Sequence, residues 1–390
     1  MFELVDSIPK NAEIKVVGVG GGGCNAVRHM VESNIDGVHF ICANTDAQSM
    51  YNLDRATVLQ LGGALTKGLG AGANPEVGRQ AAMEDKERIA QVLEGADMVF
   101  ITAGMGGGTG TGGAPVIAEI AKQMGILTVG VVTRPFSFEG RKRMAVADEG
   151  IAQLKERVDS LIIVPNEKLL QVLGKDMTVL NAFRQANDVL FGAVQGITDL
   201  ILLDGLINVD FADVRTVMSE MGMAMMGTGD ASGPDRAAVA AEAAIRCPLL
   251  EDINLQGAKG ILVNITSGFD LTLGEFEGVG NTIREFADED ATIIVGSVFE
   301  PEMADQLRVT VVATGLRSPG TKTGPRGVIV DNQPPRKTGG DIDWGRLEQP
   351  TSFRRSPSVG DSSAALKADI EGDSELDYLD VPAFLRKQAD

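Results

Sequence analysis

The run Ala103–Gly113 reads Ala-Gly-Met-Gly-Gly-Gly-Thr-Gly-Thr-Gly-Gly and separates two segments of different periodicity. The residues before it, Met98–Ala103, are apolar or small, which is typical of a buried parallel strand. The residues after it, Ala114–Ala121, have helical periodicity, with Pro115 in the first turn, where a missing N–H is tolerated. The run therefore joins the carboxyl end of a strand to the amino end of a helix.

Such a junction has the chemistry of a phosphate site. A backbone without Cβ atoms can turn tightly and aim several N–H groups at one point, where the helix dipole adds positive potential. The hydroxyls of Thr109 and Thr111 offer further donors to phosphate oxygens or ligands to a metal. The alternative is a flexible glycine linker, which is disfavoured because a linker is not flanked by a strand and a helix.

Two further glycine-rich loops precede this run. A strand over Ile14–Gly20 leads into the glycines before Asn25 and a helix over Ala26–Glu32, and it contains the dinucleotide fingerprint Gly18-x-Gly20-x-x-Gly23, a weak signal by itself. The loop Lys67–Pro75 could alone be a surface turn. Three such loops within 113 residues favour a triphosphate held from several sides, and the sequence contains no P-loop motif.

The fingerprint leaves a dinucleotide-dependent oxidoreductase as an alternative. That class requires an acidic residue at the end of the second strand, here Val38–Ala43. The strand is followed by Asn44-Thr45-Asp46, so the acid arrives slightly late. The alternative therefore stays open at this point.

Strands and helices continue to alternate after Lys67–Pro75, which we call the third loop because it is introduced after the other two. A polar helix is predicted over Pro75–Leu93, and strands over Ile126–Val132 and Ser160–Val164. This order predicts right-handed β-α-β units, a parallel sheet and ligand loops along its carboxyl edge. Asn166 would reach that edge. Glu139 and Arg143, four residues apart on the next helix, share one face, and a surface ion pair is their simplest interpretation.

The longest helical pattern covers Met177–Leu203 and places Phe183 and Asn187 on one face. Core packing is the simpler interpretation of the ring, although an aromatic ring and an amide one turn apart can also bind a base. The following segment holds an amide and two carboxylates at short spacing, in Asn208, Asp210 and Asp213. A solvated loop with a helix cap at Asp210 is the alternative.

A smaller α+β domain without glycine-rich loops is predicted next. Its strands are Met223–Gly227, Gly260–Thr266, Ala291–Val298 and Arg308–Ala313, and its helices are Asp235–Ile245 and Leu273–Ala287. Altogether we expect an α/β protein with a flexible segment 1–11, a first domain 12–176, a central helix 177–203, a second domain 204–316, a disordered linker 317–372 and a tail peptide 373–390. The tail regains apolar residues, as docking peptides do, and a frayed terminus is the alternative.

Composition excludes several classes of function. The net charge of −19 argues against nucleic acid or anionic lipid as a direct partner, and no apolar run is long enough to span a membrane. Three scattered cysteines indicate a cytosolic protein with reduced thiols rather than a disulfide framework or a zinc site. Only two histidines are present, which disfavours histidine acid–base chemistry. The first residues also lack the pattern of a signal peptide.

Three motifs together carry a resemblance to a known family. Gly106–Gly112 matches the GGGTG[ST]G signature of the tubulin superfamily, and it is joined by Asn208-x-Asp210-x-x-Asp213 and by the tail segment Asp377–Arg386. Over about residues 10–316 the chain resembles the bacterial tubulin-like cell-division GTPases. The resemblance implies a Rossmann-like parallel-sheet GTP-binding domain, a long central helix, a smaller GTPase-activating α+β domain and a disordered carboxyl-terminal tail.

The resemblance also implies roles for individual residues, with GTP or GDP as the nucleotide, Mg²⁺ on its phosphates rather than on side chains, and K⁺ for activity. The three loops would contact the phosphates, including the γ-phosphate. Glu139, Arg143 and Asn166 would contact the sugar and neighbouring parts of the nucleotide. Phe183 and Asn187 would contact the base. The loop residues concerned are Gly21, Gly22, Gly23, Cys24, Asn25, Asn44, Ala71, Gly72, Ala73, Gly107, Gly108, Thr109, Gly110 and Thr111.

In this family the acidic loop of one subunit enters the nucleotide site of the next. Asp210 and Asp213 would polarise water in trans, with Asn208 helping to complete the site. A head-to-tail contact of this kind does not close and therefore builds filaments. A nucleotide-binding filament without turnover is the remaining alternative.

The implied partners are copies of the chain itself and division proteins, including membrane tethers and regulators that bind the tail. The protein would then lie in the cytoplasm at the mid-cell division site beneath the inner membrane, which it would contact only indirectly. The tail residues that match the family are Asp377, Tyr378, Leu379, Pro382, Phe384, Leu385 and Arg386.

Overall fold

The computed structural model describes residues 12–51, 53, 55–173, 177–203, 205, 207, 209–220, 222–250, 258–288 and 290–316. The predicted segment 1–11, the linker, the tail peptide and Asn208 lie outside the described residues.

The first lobe alternates strands and helices as expected from the hydrophobic pattern. In chain order its elements are β1 (Ile14–Val19), α1 (Gly20–Glu32), β2 (Val38–Asn44), β3 (Ala56–Gln60), α2 (Gly63–Thr66), α3 (Pro75–Glu84), α4 (Lys86–Leu93), β4 (Met98–Gly104), α5 (Thr109–Gln123), β5 (Leu127–Arg134), α6 (Arg141–Lys155), β6 (Ser160–Pro165) and α7 (Asn166–Leu173).

A long central helix follows and leads into the second lobe. The elements are α8 (Val179–Leu202), α9 (Phe211–Met218), β7 (Gly222–Ser232), α10 (Arg236–Ile245), β8 (Gly260–Ser267), α11 (Leu273–Phe286), β9 (Thr292–Phe299) and β10 (Gln306–Leu316). No described helix is both long enough and apolar enough to cross a membrane.

The described strands form one sheet in the order β3-β2-β1-β4-β5-β6-β7-β10-β8-β9. The strands β1 to β6 are all parallel to their neighbours, so their carboxyl ends lie along one edge, as predicted. β7 continues the sheet in parallel beside β6, and β10 is antiparallel to both β7 and β8. The two lobes therefore share a single sheet.

Buried apolar side chains cover both faces of the first lobe's sheet. On one face the core includes Val16, Phe100 and Val129 and is closed by α1 and by the inner face of α8, with Leu190 and Ile197. On the other face, Val17, Ile101 and Val132 pack against α4, α5 and α6. Helix α8 is thus held between the two lobes, which explains its uninterrupted hydrophobic periodicity.

Two helices begin earlier than their periodicity indicates. Helix α1 starts at Gly20 rather than at Ala26, and α5 starts at Thr109 rather than at Ala114, so Pro115 lies in the second turn and not in the first. Glycine has a low helix propensity, which misplaces both starts when the sequence is read alone. Close packing overrides that propensity, since a Cβ on Gly110 would lie 2.8 Å from the carbonyl oxygen of Gly104.

Other expectations need smaller corrections. The helix predicted over Pro75–Leu93 is two helices, α3 and α4, divided at Asp85, whose carboxylate accepts a hydrogen bond from the Gly62 N–H at 2.7 Å. The elements β3, α2 and α7 were not predicted, and α9 was anticipated only as the helix that a cap at Asp210 would begin, because each is short and borders a loop.

Candidate functional site

The central strands β1 and β4 are neighbours, and each runs into a glycine-rich helix start at the carboxyl edge. Gly20 has a φ of +72°, and a Cβ there would lie 2.7 Å from the amide nitrogen of Gly110. A Cβ on Gly22 would lie 3.1 Å from the Cα of Gly104. The first loop, Gly20–Asn25, and the signature loop, Ala103–Gly113, therefore pack backbone against backbone, which requires glycine on both sides.

The third loop, Lys67–Pro75, packs against the signature loop at Gly108. A Cβ on Gly108 would lie 2.8 Å from the Ala71 Cβ and 2.9 Å from the amide nitrogen of Asn74. Gly72 and Ala73, between them, both have positive φ, at +59° and +56°. The structure thus brings the three glycine-rich loops of the sequence together at one edge.

One glycine of each loop faces open space. A Cβ on Gly21, Gly72 or Gly107 would meet no atom within 4 Å. The other glycines hold the loops together, whereas these three line a cleft into which backbone can approach a ligand without side chains intervening.

The helix starts at this cleft carry no internal cap. The N-cap residues of α1 and α5 are Val19 and Gly108, and in the described part of the chain neither helix has a side-chain cap or an acidic residue in its first turn. The N–H groups of these first turns and the positive end of each helix dipole remain available to an anion. The geometry therefore supports phosphate binding at two helix N-termini.

The two signature threonines have different surroundings. The Thr111 hydroxyl oxygen accepts a hydrogen bond from the Gly106 N–H at 2.9 Å, which stabilises the loop from within. The Thr109 hydroxyl lies 2.6 Å from that of Thr45, a fully buried residue just after β2. Thr111 therefore supports the loop, while Thr109 connects it to the residue that follows β2.

Glu139 and Arg143 form an ion pair at 3.2 Å, but they do not share a helix as expected. Glu139 ends a 3₁₀ turn, and Gly140, with a φ of +101°, separates it from α6. Its carboxylate also accepts a hydrogen bond from the Phe136 N–H at 2.9 Å. A Cβ on Gly106 would lie 2.6 Å from the Arg143 carbonyl oxygen, so the pair is held against the signature loop.

An aromatic group marks the other end of the cleft. Phe183, in the first turns of α8, meets Phe136 edge to face with centroids 5.2 Å apart, and Phe136 stacks on Phe138 at 5.0 Å. The Phe183 side chain is 40% exposed, so core packing does not account for the whole ring. No hydrogen bond joins the half-buried Asn187 amide to another described residue. A ring face and a free amide are thus available to a planar base.

Asn166 has an unsatisfied buried atom. It is the first residue of α7, directly after β6, and is 3% exposed, yet its Oδ1 has no hydrogen-bond partner among the described residues. A buried acceptor without a donor costs about 1–3 kcal/mol. A ligand hydroxyl would satisfy it, which fits the sugar of a nucleotide.

Three other predicted residues have side chains engaged within the protein. The Asn25 carboxamide oxygen accepts from Arg28 at 3.0 Å, and the Asn44 carboxamide accepts from the Thr45 N–H at 2.8 Å and contacts Ser49. Cys24 is fully buried, and its hydrogen bond with Cys42 together with burial raises the pKa of its thiol well above the ordinary value. Cys24 can therefore serve the cleft only through its backbone.

The acidic segment lies far from the glycine loops. Helix α8 has 24 residues and is thus about 36 Å long. Its amino end holds Phe183 beside the cleft, whereas Leu202 at its carboxyl end packs on Gly37, just before β2 at the opposite edge of the sheet. Asp210 and Asp213 follow that far end, and within one chain they do not reach the loops.

Both carboxylates are exposed. Asp210 is the N-cap residue of α9, but its side chain makes no cap hydrogen bond, and Asp213 lies in the first turn. Neither forms an ion pair with another described residue. Asp210 therefore occupies the N-cap position, as the alternative interpretation expects, but its side chain does not cap the helix.

A separate cavity of about 640 Å³ lies between α8 and the second lobe. Asp199, Asn264 and Arg308 contribute to its wall. Burial and the nearby Glu300 carboxylate raise the pKa of Asp199 to about 7. The sequence contains no signal for this cavity, because it depends on how α8 packs against β8 and β10.

Comparisons with known proteins agree with this geometry. The model of the Tubulin/FtsZ family GTPase domain matches residues 13–174, and that of the FtsZ family C-terminal domain matches residues 222–317. A structure from M. jannaschii described as an empty FtsZ dimer is 44% identical, with a TM-score of 0.76 over 80% of this chain and 90% of that chain. CetZ1 from Haloferax volcanii, described as a GDP-bound monomer, is 20% identical with a TM-score of 0.69 over 78% of this chain and 95% of that chain, and this likeness concerns the fold alone.

The fold and the glycine-loop edge thus define a tubulin-like GTPase. Its curated relatives include the cell division protein FtsZ of Pseudomonas aeruginosa, 63% identical over 100% of both chains, and that of Coxiella burnetii, 59% identical over 99% of both. The chain belongs to the FtsZ family. This identification replaces the oxidoreductase alternative that the fingerprint at Gly18–Gly23 left open.

Sequence reasoning missed two residues at the site. Thr45 contacts the signature loop, and Arg28 holds the Asn25 side chain while its second nitrogen donates to the Ser49 carbonyl at 3.1 Å. The position of Thr45 at the end of a parallel strand was the available signal. Arg28 gave none, because an arginine on a helix is ordinarily a solvated side chain.

Proposed function

We propose that this protein binds GTP at the glycine-loop edge and hydrolyses it within head-to-tail filaments. Asp210 and Asp213 of one copy, with Asn208, would complete the site of the next copy. The observation that carries this proposal is the length of α8, about 36 Å, between the cleft and the acidic segment. One chain has the two halves of a hydrolytic site at opposite ends, and only a second copy can bring them together.

In the proposed complex the phosphates lie at the first turns of α1 and α5. The uncapped N–H groups there, with the open glycines Gly21, Gly72 and Gly107, support this placement. The base would stack on Phe183 and bond to Asn187, and the sugar would satisfy the orphan oxygen of Asn166. Glu139 and Arg143 would contact the nucleotide beside the signature loop.

The described residues contain no cluster of histidine, cysteine or acidic side chains able to hold a metal ion by itself. From the family resemblance we propose that Mg²⁺ is bound mainly by the phosphates, with the Thr109 hydroxyl near it, and that K⁺ supports activity. When bound, Mg²⁺ neutralises charge that develops on the phosphates.

Phosphoryl transfer to water requires positioning and charge stabilisation more than covalent chemistry. The cleft offers N–H and hydroxyl donors for the phosphates, while the exposed carboxylates of Asp210 and Asp213 lack ion-pair partners in the described structure. In the filament these carboxylates would orient and polarise the attacking water. Hydrolysis would then require assembly.

A contact between different faces of two identical chains is heterologous and extends without closing. The relative from M. jannaschii, described as a dimer, supports self-association. We propose that the filaments form the division ring in the cytoplasm, at mid-cell beneath the inner membrane. Membrane tethers and regulators would bind the tail residues around Tyr378 and Phe384, which lie outside the described structure.

The test is the rate of GTP hydrolysis per subunit as a function of protein concentration, in Mg²⁺ and K⁺, with light scattering recorded in parallel. We expect a rate near zero in dilute solution that rises together with scattering. A rate that stays constant down to dilute monomer would contradict the shared site. Scattering without phosphate release would instead indicate a filament that binds nucleotide and does not turn it over.

A further inference from the structure

Thr45 is a buried residue that contacts two of the three glycine-rich loops. It follows β2 directly and is 0% exposed, so it does not line the cleft itself. Its hydroxyl lies 2.6 Å from the Thr109 hydroxyl at the start of α5. Its carbonyl oxygen accepts hydrogen bonds from the Gly70 N–H at 3.2 Å and from the Thr66 hydroxyl at 3.3 Å. Thr45 therefore connects the signature loop with the third loop.

Either hydroxyl could donate in this hydrogen bond, and the burial of the two residues favours one direction. The Thr45 hydroxyl contacts no other hydrogen-bonding group among the described residues, and a buried donor left without an acceptor is costly. Thr45 thus donates to Thr109. The Thr109 proton is then free to point elsewhere, and its residue is 8% exposed at the edge of the cleft.

The third loop is anchored to the same residue. Beyond the Gly70 contact, the Ala47 N–H donates to the Gly68 carbonyl at 3.1 Å, and Asp46 pairs with Leu69 in a single β-bridge. The chain then turns through Gly72 and Ala73 in left-handed conformations towards the cleft. A shift of Thr45 would therefore move both the third loop and the Thr109 hydroxyl.

We propose that Thr45 is a positioning residue that sets the preference of the site for GTP over GDP. Its hydroxyl directs the Thr109 proton towards the terminal phosphate, and its carbonyl holds the third loop where that phosphate lies. This inference rests on the nucleotide site proposed above. The terminal phosphate is the group that GDP lacks, so the affinity for GTP depends on Thr45 more than the affinity for GDP does.

The decisive variant is Thr45→Val, which removes the hydroxyl and keeps the shape of the side chain. Affinities for GDP and for a slowly hydrolysed GTP analogue are measured with Mg²⁺, at protein concentrations below assembly. We expect the GTP-to-GDP affinity ratio to fall about ten-fold, because one hydrogen bond to a charged group is lost. Thr45→Ser keeps the hydroxyl and should restore the ratio.

Thr128→Val is the matched control. Thr128 is also 0% exposed, and its hydroxyl donates to the Ile126 carbonyl at 2.9 Å, on β5 away from the cleft. This variant should lower the melting temperature and leave the ratio unchanged. If Thr45→Val and Thr128→Val lower stability alike and neither changes the ratio, Thr45 is merely structural and the inference is wrong.

A double-mutant cycle tests whether Thr45 acts through Thr109. If Thr45 acts through Thr109, then Thr45→Val adds no further loss to Thr109→Val. Additive losses would overturn the inference, and Thr45→Ala repeats the cycle if the valine variant folds poorly. A wild-type protein that binds neither nucleotide would refute the proposed site itself, which is a different outcome from equal binding by wild type and variant.

Discussion

Two helix starts of the first lobe differ from the start of α11 in the second lobe in how their free N–H groups are satisfied. In the second lobe, α11 begins with a complete capping box, in which Thr272 and Glu275 satisfy each other's backbone N–H groups. In the first lobe, α1 and α5 have Val19 and Gly108 as N-cap residues, with no side-chain cap and no acidic residue in the first turn. Both starts lie at the carboxyl edge of the parallel sheet.

Charge follows the same division. Arg236 of the second lobe is 5% exposed and bonds to Glu275 at 2.7 Å and Asp270 at 2.6 Å, so its charge is fully used inside the lobe. The cleft of the first lobe retains donors without acceptors. Helix α10 also starts without a side-chain cap or an acidic residue in its first turn, so an uncapped start does not by itself mark a binding site. What distinguishes α1 and α5 is that their two uncapped starts lie together at the carboxyl edge of the parallel sheet.

The largest expected effect is on GTP hydrolysis, and it compares two helices whose N-cap residue is an aspartate that makes no side-chain cap hydrogen bond. Asp210 and Asp235 occupy this position in α9 and α10, and both are exposed. Asp210→Ala should lower GTP hydrolysis per assembled subunit at least about a hundred-fold, because it removes the carboxylate proposed to polarise water. Asp235→Ala should change hydrolysis less than about two-fold. Phosphate release and nucleotide affinity are measured together, and normal turnover in the Asp210 variant would remove it from the mechanism.

An acid placed in the first turn should separate the two kinds of helix start. Gly21 in α1 and Gly274 in α11 are both second residues of their helices, and a Cβ on either would meet open space. Gly21→Asp should weaken nucleotide binding at least about thirty-fold, because a fixed negative charge occupies the phosphate site. The apo protein should not lose stability, since an acid at a helix N-terminus is favourable.

Two controls accompany this prediction. Gly21→Asn has nearly the same shape without the charge and should retain most of the affinity, and Gly274→Asp should leave binding unchanged. Titration with a fluorescent guanine nucleotide and thermal melting measure both effects. Equal losses for Gly21→Asp and Gly21→Asn would mean that shape rather than charge matters there.

The buried arginine of the second lobe should affect stability alone. Arg236→Leu leaves Asp270 and Glu275 without their shared partner and should lower the free energy of unfolding by about 2–3 kcal/mol. Arg246→Leu breaks an exposed pair with Glu242 and should cost less than about 0.5 kcal/mol. Denaturant unfolding gives both values. A change in nucleotide affinity of folded Arg236→Leu would show that the two lobes are more tightly coupled than we infer.

The smallest effect depends on pH. The folded-state pKa of Asp199, about 7, lies above its ordinary value, so the folded protein retains a proton that the unfolded chain loses near pH 4. Stability from this group is complete below pH 4 and declines as the pH rises to about 7. Asp199→Asn should therefore be more stable than the wild type at pH 8, where the buried carboxylate is ionised, and nearly equal to it at acid pH. Melting temperatures across pH 5–8 test this, and a constant difference would contradict it.

The alternating elements of the first lobe and the edge where the glycine loops meet were predictable, because period and strand order determine them. The starts of α1 and α5 were not, since close backbone packing overrides glycine's propensity. The break at Gly140 escaped detection because Glu139 and Arg143 keep helical spacing in sequence. The position of Thr45 after a parallel strand was visible in the sequence, but its contact with Thr109 and the pKa of Asp199 depend on residues distant in the chain, which no local pattern records.

The sheet itself has one short joint. Six residue pairs connect β5 to β6 and nine connect β7 to β10, but only three, from Ser160 with Gly222 to Ile162 with Ala224, connect β6 to β7. The sheet therefore has two parts, connected only by the short pairing of β6 with β7, and α8 packs beside this pairing. A mechanical force on the sheet would act most strongly on this pairing, because it has the fewest residue pairs of any two neighbouring strands in the described sheet. In the proposed filaments, bending would therefore be concentrated within each subunit, at the short pairing of β6 with β7.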